Sequence, residues 1–67
     1  MEFTIKKARQ YAGLTQQETA EKLGISTKTY QNYENGKTAM RIDKAKKFSS
    51  ITNIPLSKII FLLSNYG

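Results

Sequence analysis

The stretch from Thr15 to Gly36 restricts the fold more than any other part of the chain, because it carries two helix starts and two helix stops in close succession. Thr15-Gln16-Gln17-Glu18 fits a capping box, in which the Thr15 hydroxyl accepts from the Glu18 amide and the Glu18 carboxylate accepts from the Thr15 amide. Leu14, just ahead of the cap, is placed as a hydrophobic staple against Thr19 or Ala20. Ala20 and Leu23 fall on one face of the helix that follows, residues 16–23, and Gly24 ends it. The next helix starts from Ser26 as N-cap, turns Tyr30 and Tyr33 inward and stops at Asn35-Gly36. Two helices joined by so tight a glycine-containing turn must cross steeply, in a helix-turn-helix arrangement. Gly24 suits that turn, since a positive φ costs a residue with a β-carbon about 1 kcal/mol or more. Ala20 suits it too, because a larger side chain would push the second helix off the first, while Ile25 and Tyr33 plug the angle between them.

The flanks are also helical in period. Ile5, Ala8 and Ala12 mark a first helix of about residues 3–12, stopped by Gly13. Ile42, Ala45 and Phe48, continued by Ile51, mark a fourth over about 41–50. Pro55 fits the first turn of a fifth, where its missing N–H is harmless, with Leu56, Ile59, Ile60 and Leu63 along one side. No stretch alternates with period two over more than a few residues. The expected fold class is therefore all-α, a compact bundle of five short helices forming one domain over residues 1–67, because a core does not split below about 100 residues.

The supply of reactive side chains argues against an enzyme. Without Cys the chain has no thiolate ligand or cysteine nucleophile, and without His it lacks the usual general base and the commonest metal ligand. Only Glu2, Glu18, Glu21, Glu34 and Asp43 could act as acid, base or carboxylate ligand, so no metal and no cofactor are expected. Eleven Lys and Arg against five Asp and Glu leave a formal charge of +6, which points to a polyanionic partner without saying which one. No basic region followed by an apolar run opens the sequence, and the apolar run 59–63 is too short to span a bilayer, so the cytoplasm is the expected compartment.

What the third helix leaves exposed narrows the choice of polyanion. Once Tyr30 and Tyr33 point inward, its outer face shows Thr27, Lys28, Gln31 and Asn32. These side chains can reach base edges: Lys suits guanine O6 and N7, Asn or Gln suits adenine N6 and N7, and Thr suits a thymine methyl or an acceptor. A face selected only for solubility would more typically mix Glu with Lys.

The runs Leu14-Thr15-Gln16-Gln17-Glu18-Thr19-Ala20-Glu21-Lys22-Leu23-Gly24-Ile25-Ser26 and Tyr33-Glu34-Asn35-Gly36-Lys37 resemble the Cro/phage-repressor type of helix-turn-helix domain, the xenobiotic-response-element family of bacterial regulators. The likeness covers about residues 3–63 and rests on an opening "LTQ" and a closing "YENGK" at this separation. It implies a five-helix fold that reads double-stranded operator DNA, usually as a dimer; no small-molecule ligand is expected. Position by position, it implies that Gln16 bonds a phosphate and braces the reading helix, and that Thr27, Lys28 and Asn32 read bases with help from Gln31. Asn35, Lys37, Thr38 and Arg41 would grip the DNA backbone, with Lys44 near the start of the fourth helix a further candidate. Arg9 and Glu34 match an ion pair that ties the first helix to the end of the third.

Two positions depart from the family's habit. Thr19 stands where Leu or Val is usual, and Tyr30 where an aliphatic residue is commoner. Neither breaks the geometry, since Thr can bond back to a carbonyl and Tyr can bury its ring while its hydroxyl reaches the rim.

The segment 56–67 carries more apolar side chains than one core face needs, and the family builds its two-fold interface in this region. A homodimer through Leu56, Ile60, Phe61 and Tyr66 is expected, against the alternative of a lid folded on its own core. Over these 67 residues the expected resemblance is to a stand-alone Cro more than to a two-domain repressor, although a piece of a longer repressor would read identically. The alternative in another class is a protein-interaction module, an anti-repressor or antitoxin-like helix-turn-helix domain. A basic membrane-surface peptide fits poorly, because the Lys residues do not lie opposite one apolar face of a single long helix.

Overall fold

The two helices with the sharpest sequence signals start and stop where their caps stand. In the structure, a computed structural model that describes residues 2–61, the elements in order are β1 (Phe3–Thr4), α1 (Ile5–Tyr11), α2 (Gln16–Leu23), α3 (Thr27–Glu34), α4 (Ile42–Thr52), a 3-10 turn (Leu56–Lys58) and β2 (Ile59–Ile60). Both halves of the α2 capping box form: Thr15 Oγ1 accepts from the Glu18 amide at 3.0 Å, and Glu18 Oε1 accepts from the Thr15 amide at 2.9 Å. The capping bond from the Thr15 backbone holds the exposed Glu18 carboxyl below its ordinary range. At the other end Gly24 takes φ +74°, and the amides of Gly24 and Ile25 close onto the carbonyls of Glu21 and Ala20 at 3.1 and 3.0 Å. Ser26 then caps α3 by accepting from the Thr29 amide at 3.1 Å.

The described residues are mostly helical, and the fold is broadly all-α as expected, but four helices and a small two-stranded sheet stand where five helices were expected. Phe3 and Thr4 do not open α1. They pair in parallel with the other end of the described chain, Phe3 opposite Ile59 and Thr4 opposite Ile60, and Thr4 serves as the α1 N-cap. The expected fifth helix is replaced over its described part by one 3-10 turn and β2. There Ile59 is buried and Ile60 is 40% exposed, the alternation of a strand and not the shared face of a helix. Leu63 and Tyr66 lie outside the described residues.

A second correction concerns Ile42, which is 64% exposed at the start of α4. The buried stripe of that helix runs through Ala45, Phe48 and Thr52. At about 100° per residue Ile42 stands roughly 90° to one side of it. Ile51, on the other flank, is half-buried and packs against the core. Four side chains are the largest of the fully buried ones: Tyr30, Phe48, Leu23 and Thr19. Tyr30 holds the centre, with its ring centroid 6.4 Å from Phe48 and 6.5 Å, edge-on, from Tyr33. None of the described helices is long and apolar enough to cross a membrane.

Candidate nucleic-acid interface

The turn between α2 and α3 sets their angle, and a buried carboxylate fixes how they sit on α1. The Glu34 side chain, at the last turn of α3, is only 3% exposed. Arg9 Nε of α1 donates to Glu34 Oε2 at 2.5 Å, and the Tyr30 hydroxyl donates to the same oxygen at 2.6 Å. Gln16 Nε2, from the first turn of α2, donates to the other oxygen, Oε1, at 2.9 Å. Arg9 also donates through Nη1 to the Leu14 carbonyl at 2.8 Å, which ties the turn between α1 and α2 into the same group. One carboxylate thereby joins the first three helices.

The electrostatics follow from that geometry. Burial alone would push the Glu34 carboxyl up, but the hydrogen bonds from Arg9, Tyr30 and Gln16, with the guanidinium charge, outweigh it and hold the group below the ordinary carboxylate range. The hydrogen bond that Arg9 donates to Glu34 in turn raises Arg9 against the opposing effect of its partial burial. Burial and the adjoining carboxylate push the Tyr30 hydroxyl far above its usual range, so it remains a donor.

Above this base lies the outer face of α3. Lys28 is exposed, while Thr27, Gln31 and Asn32 are half-buried along the same helix. Gln31 Nε2 donates to Gln16 Oε1 at 3.1 Å, so these two candidate residues are in direct contact. The loop after α3 folds back on the helix end, with the Lys37 and Thr38 amides reaching the Asn32 carbonyl at 3.0 and 3.4 Å. Asn35, Lys37 and Thr38 are all exposed there. Arg41 is exposed too and lies 3.8 Å from Asp43, a solvated pair of little energetic weight. Lys44 is engaged elsewhere: its Nζ donates to the Leu23 carbonyl at the C-terminus of α2, 3.0 Å away, where a cation complements the helix dipole.

A helix-turn-helix family model matches residues 5–59, a span that takes in α1 to α4 and both capped helices described above. The chain belongs to that family. Within it the chain is of the Cro/phage-repressor type, and it is similar to the HTH-type transcriptional regulator ImmR of Bacillus subtilis (strain 168), with 42% identity over 50 residues. Those residues amount to 75% of this chain and 39% of the relative, so the chain spans well under half the relative's length. No solved structure matches the chain significantly.

Against the helix-turn-helix frame, Thr19 and Tyr30 become intelligible. Thr19 is fully buried, and its hydroxyl bonds back to the Thr15 carbonyl at 2.9 Å. Tyr30 buries its ring and spends its hydroxyl on Glu34 one turn later. The resemblance implies the pairing of Arg9 with Glu34 and a bracing role for Gln16, but not Tyr30 as a third donor, the bond between Gln31 and Gln16, or Lys44 on Leu23. The spacing of Tyr30 and Glu34 at i, i+4 on one helix face was the available signal for the first of these.

Proposed function

We propose that the protein is a sequence-specific DNA-binding transcriptional regulator that sets α3 in the major groove of a pseudo-palindromic operator as a dimer. One observation carries the reading: α3 buries Tyr30 and Tyr33 on one side and offers Thr27, Lys28, Gln31 and Asn32 on the other, braced from beneath by Glu34. In this reading those four side chains address base edges. Gln16, Asn35, Lys37, Thr38 and Arg41 address phosphates, and Lys44 serves first to hold the end of α2. The kinship with a transcriptional regulator and the formal charge of +6 support the same conclusion. Its action would be steric: two copies of α3, about 34 Å apart in successive grooves, exclude a competing protein from the site.

For the two-fold contact, Leu56 and Ile60 are 38% and 40% exposed and supply apolar surface. Phe61 instead packs against the core, its ring 6.3 Å from Phe48, and contributes chiefly by shaping that surface. The dimer arm of the proposal is tested by sedimentation at tens of micromolar. Wild type should run as a dimer, and Ile60→Asp should run as a monomer with weakened operator affinity.

Selection of bound sites from random duplex DNA at a stated salt concentration tests the function itself. A recovered palindrome supports the proposal, and binding without any preferred sequence defeats it. Lys28→Ala or Asn32→Ala should cost about 1–3 kcal/mol and relax preference at one or two positions. Lys37→Ala should weaken all sequences alike and lower the salt slope by about one. Equal behaviour of Lys28→Ala and Lys37→Ala on random and selected DNA would mean that α3 is not the reader.

A further inference from the structure

We propose that Glu34, acting through Gln16, fixes which way round the Gln31 side-chain amide stands and so makes Gln31 a reader of adenine. The proposal rests on the reading of α3 as the DNA-reading helix and adds a base and a positioning mechanism to it.

An unheld glutamine amide can turn over and exchange its donor end for its acceptor end, so its position alone gives it little discrimination between bases. Here the choice is made by a group that cannot donate. Glu34 is ionised and accepts only. Its Oε2 is occupied by Arg9 and Tyr30, and its Oε1 faces Gln16. Gln16 can satisfy that oxygen only with its NH2 group, which it does at 2.9 Å. Its own carbonyl oxygen is thereby turned toward Gln31, which can meet an oxygen only with its NH2 group, at 3.1 Å. The orientation therefore passes without ambiguity from carboxylate to amide to amide. Turning Gln31 over would set two carbonyl oxygens against each other. Turning Gln16 over would set its oxygen against the buried carboxylate.

What Gln31 then has left is its carbonyl oxygen and one N–H. An acceptor beside a donor is the complement of the adenine N6 donor and N7 acceptor in the major groove. Guanine presents two acceptors, O6 and N7, and would leave the Gln31 oxygen facing another oxygen; cytosine N4 would satisfy the oxygen alone. Gln16 and Glu34 are positioning residues in this scheme: they need not touch the base that they help to select.

Two measurements on the full chain test the relay, one of them without DNA. In the free protein, side-chain amide 15N–1H spectra should show the Gln31 NH2 protons exchanging more slowly with water than those of the exposed Gln10 and Gln17. Gln16→Leu, which leaves Arg9, Tyr30 and Glu34 paired, should bring Gln31 back to the behaviour of Gln10. In site selection, wild type should prefer adenine at one position of each half-site by roughly five- to a hundredfold. Gln16→Leu should collapse that preference while sparing the other positions, whatever uniform loss of affinity comes with it. Glu34→Gln can keep its carbonyl on Arg9 and Tyr30 and present its NH2 group to Gln16, which reverses both amides and should abolish the adenine preference. If Glu34→Gln fails to fold, Gln16→Leu still decides the question.

A Gln31 amide that exchanges like Gln10 in wild type overturns the relay whether or not the protein binds DNA. An adenine preference that survives Gln16→Leu overturns its role in reading. A protected Gln31 amide together with no selected sequence overturns the functional reading and, with it, any base chosen by the relay.

Discussion

The two sides of the molecule are held by different physics. On one side, α1, α2 and α3 meet around a single carboxylate bonded to Arg9, Tyr30 and Gln16, at 2.5, 2.6 and 2.9 Å. On the other, α4 and the strand pair join the core chiefly through Ala45, Phe48, Ile54 and Ile59, contacts that have no preferred direction. Apolar contact decides whether the chain folds, and it tolerates a shift of a few tenths of an ångström. Hydrogen bonds to a buried charge lose much of their strength when misaligned, so they suit the task of setting one helix at a fixed angle to its neighbours. The directional side is also the side that carries the proposed reading helix.

The largest expected effect comes from the apolar side. Phe48→Ala removes a fully buried ring that touches both Tyr30 and Phe61, and it should cost about 3–5 kcal/mol. That rivals the whole stability of a domain this size, on the order of a few kcal/mol, so circular dichroism should show a largely unfolded chain at 25 °C. Phe48→Leu, which keeps most of the volume and none of the shape, should cost only about 1–1.5 kcal/mol and leave a cooperative transition. A loss as large as that of Phe48→Ala would mean that this side, too, depends on detailed geometry.

Next in size is Glu34→Ala, which strands the Arg9 guanidinium and the Tyr30 hydroxyl. The side chain of Arg9 is 11% exposed, so the cost should fall somewhat short of that for a fully buried pair, at about 2–4 kcal/mol in urea titration. Glu34→Asp should cost nearly as much despite keeping the charge, because a carboxylate set back by one methylene cannot serve three donors in place.

The same carboxylate gives the contrast a pH dependence. Its folded pKa lies below the unfolded value of about 4.3, so its stabilisation is complete above that value and is lost as pH falls through the folded pKa. Melting temperature should drop steeply below about pH 4 in wild type and less steeply in Glu34→Gln. The slope that remains in the variant should come partly from Glu18, whose carboxyl is also depressed, by its capping bonds to Thr15.

Tyr30→Phe isolates one bond of the clasp. The ring stays in place, Glu34 Oε2 keeps Arg9, and only the hydroxyl donor is lost. A hydrogen bond to an ionised carboxylate should make the loss about 1–2 kcal/mol.

The directional side was also the more legible in sequence, because its signals are local. Thr15 with Glu18, Gly24, Ser26 and Asn35-Gly36 stand next to the backbone groups they cap, and α2 and α3 begin and end where those residues place them. Arg9 and Glu34 came from the resemblance, since no spacing rule brings residues so far apart into contact. The apolar side departs from the sequence expectation where distance in the chain decides. Ile59 and Ile60 form a strand only because Phe3 and Thr4 reach them from the opposite end, and a two-residue parallel pair leaves no period to detect. The apolar run from Ile59 therefore looked like a helix face. Ile42 departs from its expected place for another reason: three residues at successive i+3 steps drift around a helix, and only the later ones stay on the buried stripe. Within the candidate site, the bonds from Gln31 to the Gln16 side chain and from Lys44 to the Leu23 backbone carbonyl depend on how the helices pack and leave no mark in the sequence.

The smallest expected effect separates the clasp from buried polarity in general. Thr19 is as buried as Tyr30, and its hydroxyl also makes one hydrogen bond, to the Thr15 carbonyl at 2.9 Å. That acceptor is uncharged, and it already receives the amide of Thr19 itself at 3.0 Å as part of the helix ladder. Replacing the hydroxyl by a methyl group strands no donor and no acceptor, and the added apolar burial offsets the lost bond. Thr19→Val should therefore change stability by no more than about 0.5 kcal/mol, well below the cost of Tyr30→Phe. Measured side by side in urea, the two substitutions each remove one buried hydroxyl, one from a backbone carbonyl and the other from the shared carboxylate. If Thr19→Val costs as much as Tyr30→Phe, the distinction between the two sides is only one of burial, and the Glu34 carboxylate has no special part in setting α3. If the gap is as large as expected, the energy resides in the charge-assisted bond that the Tyr30 hydroxyl donates to Glu34.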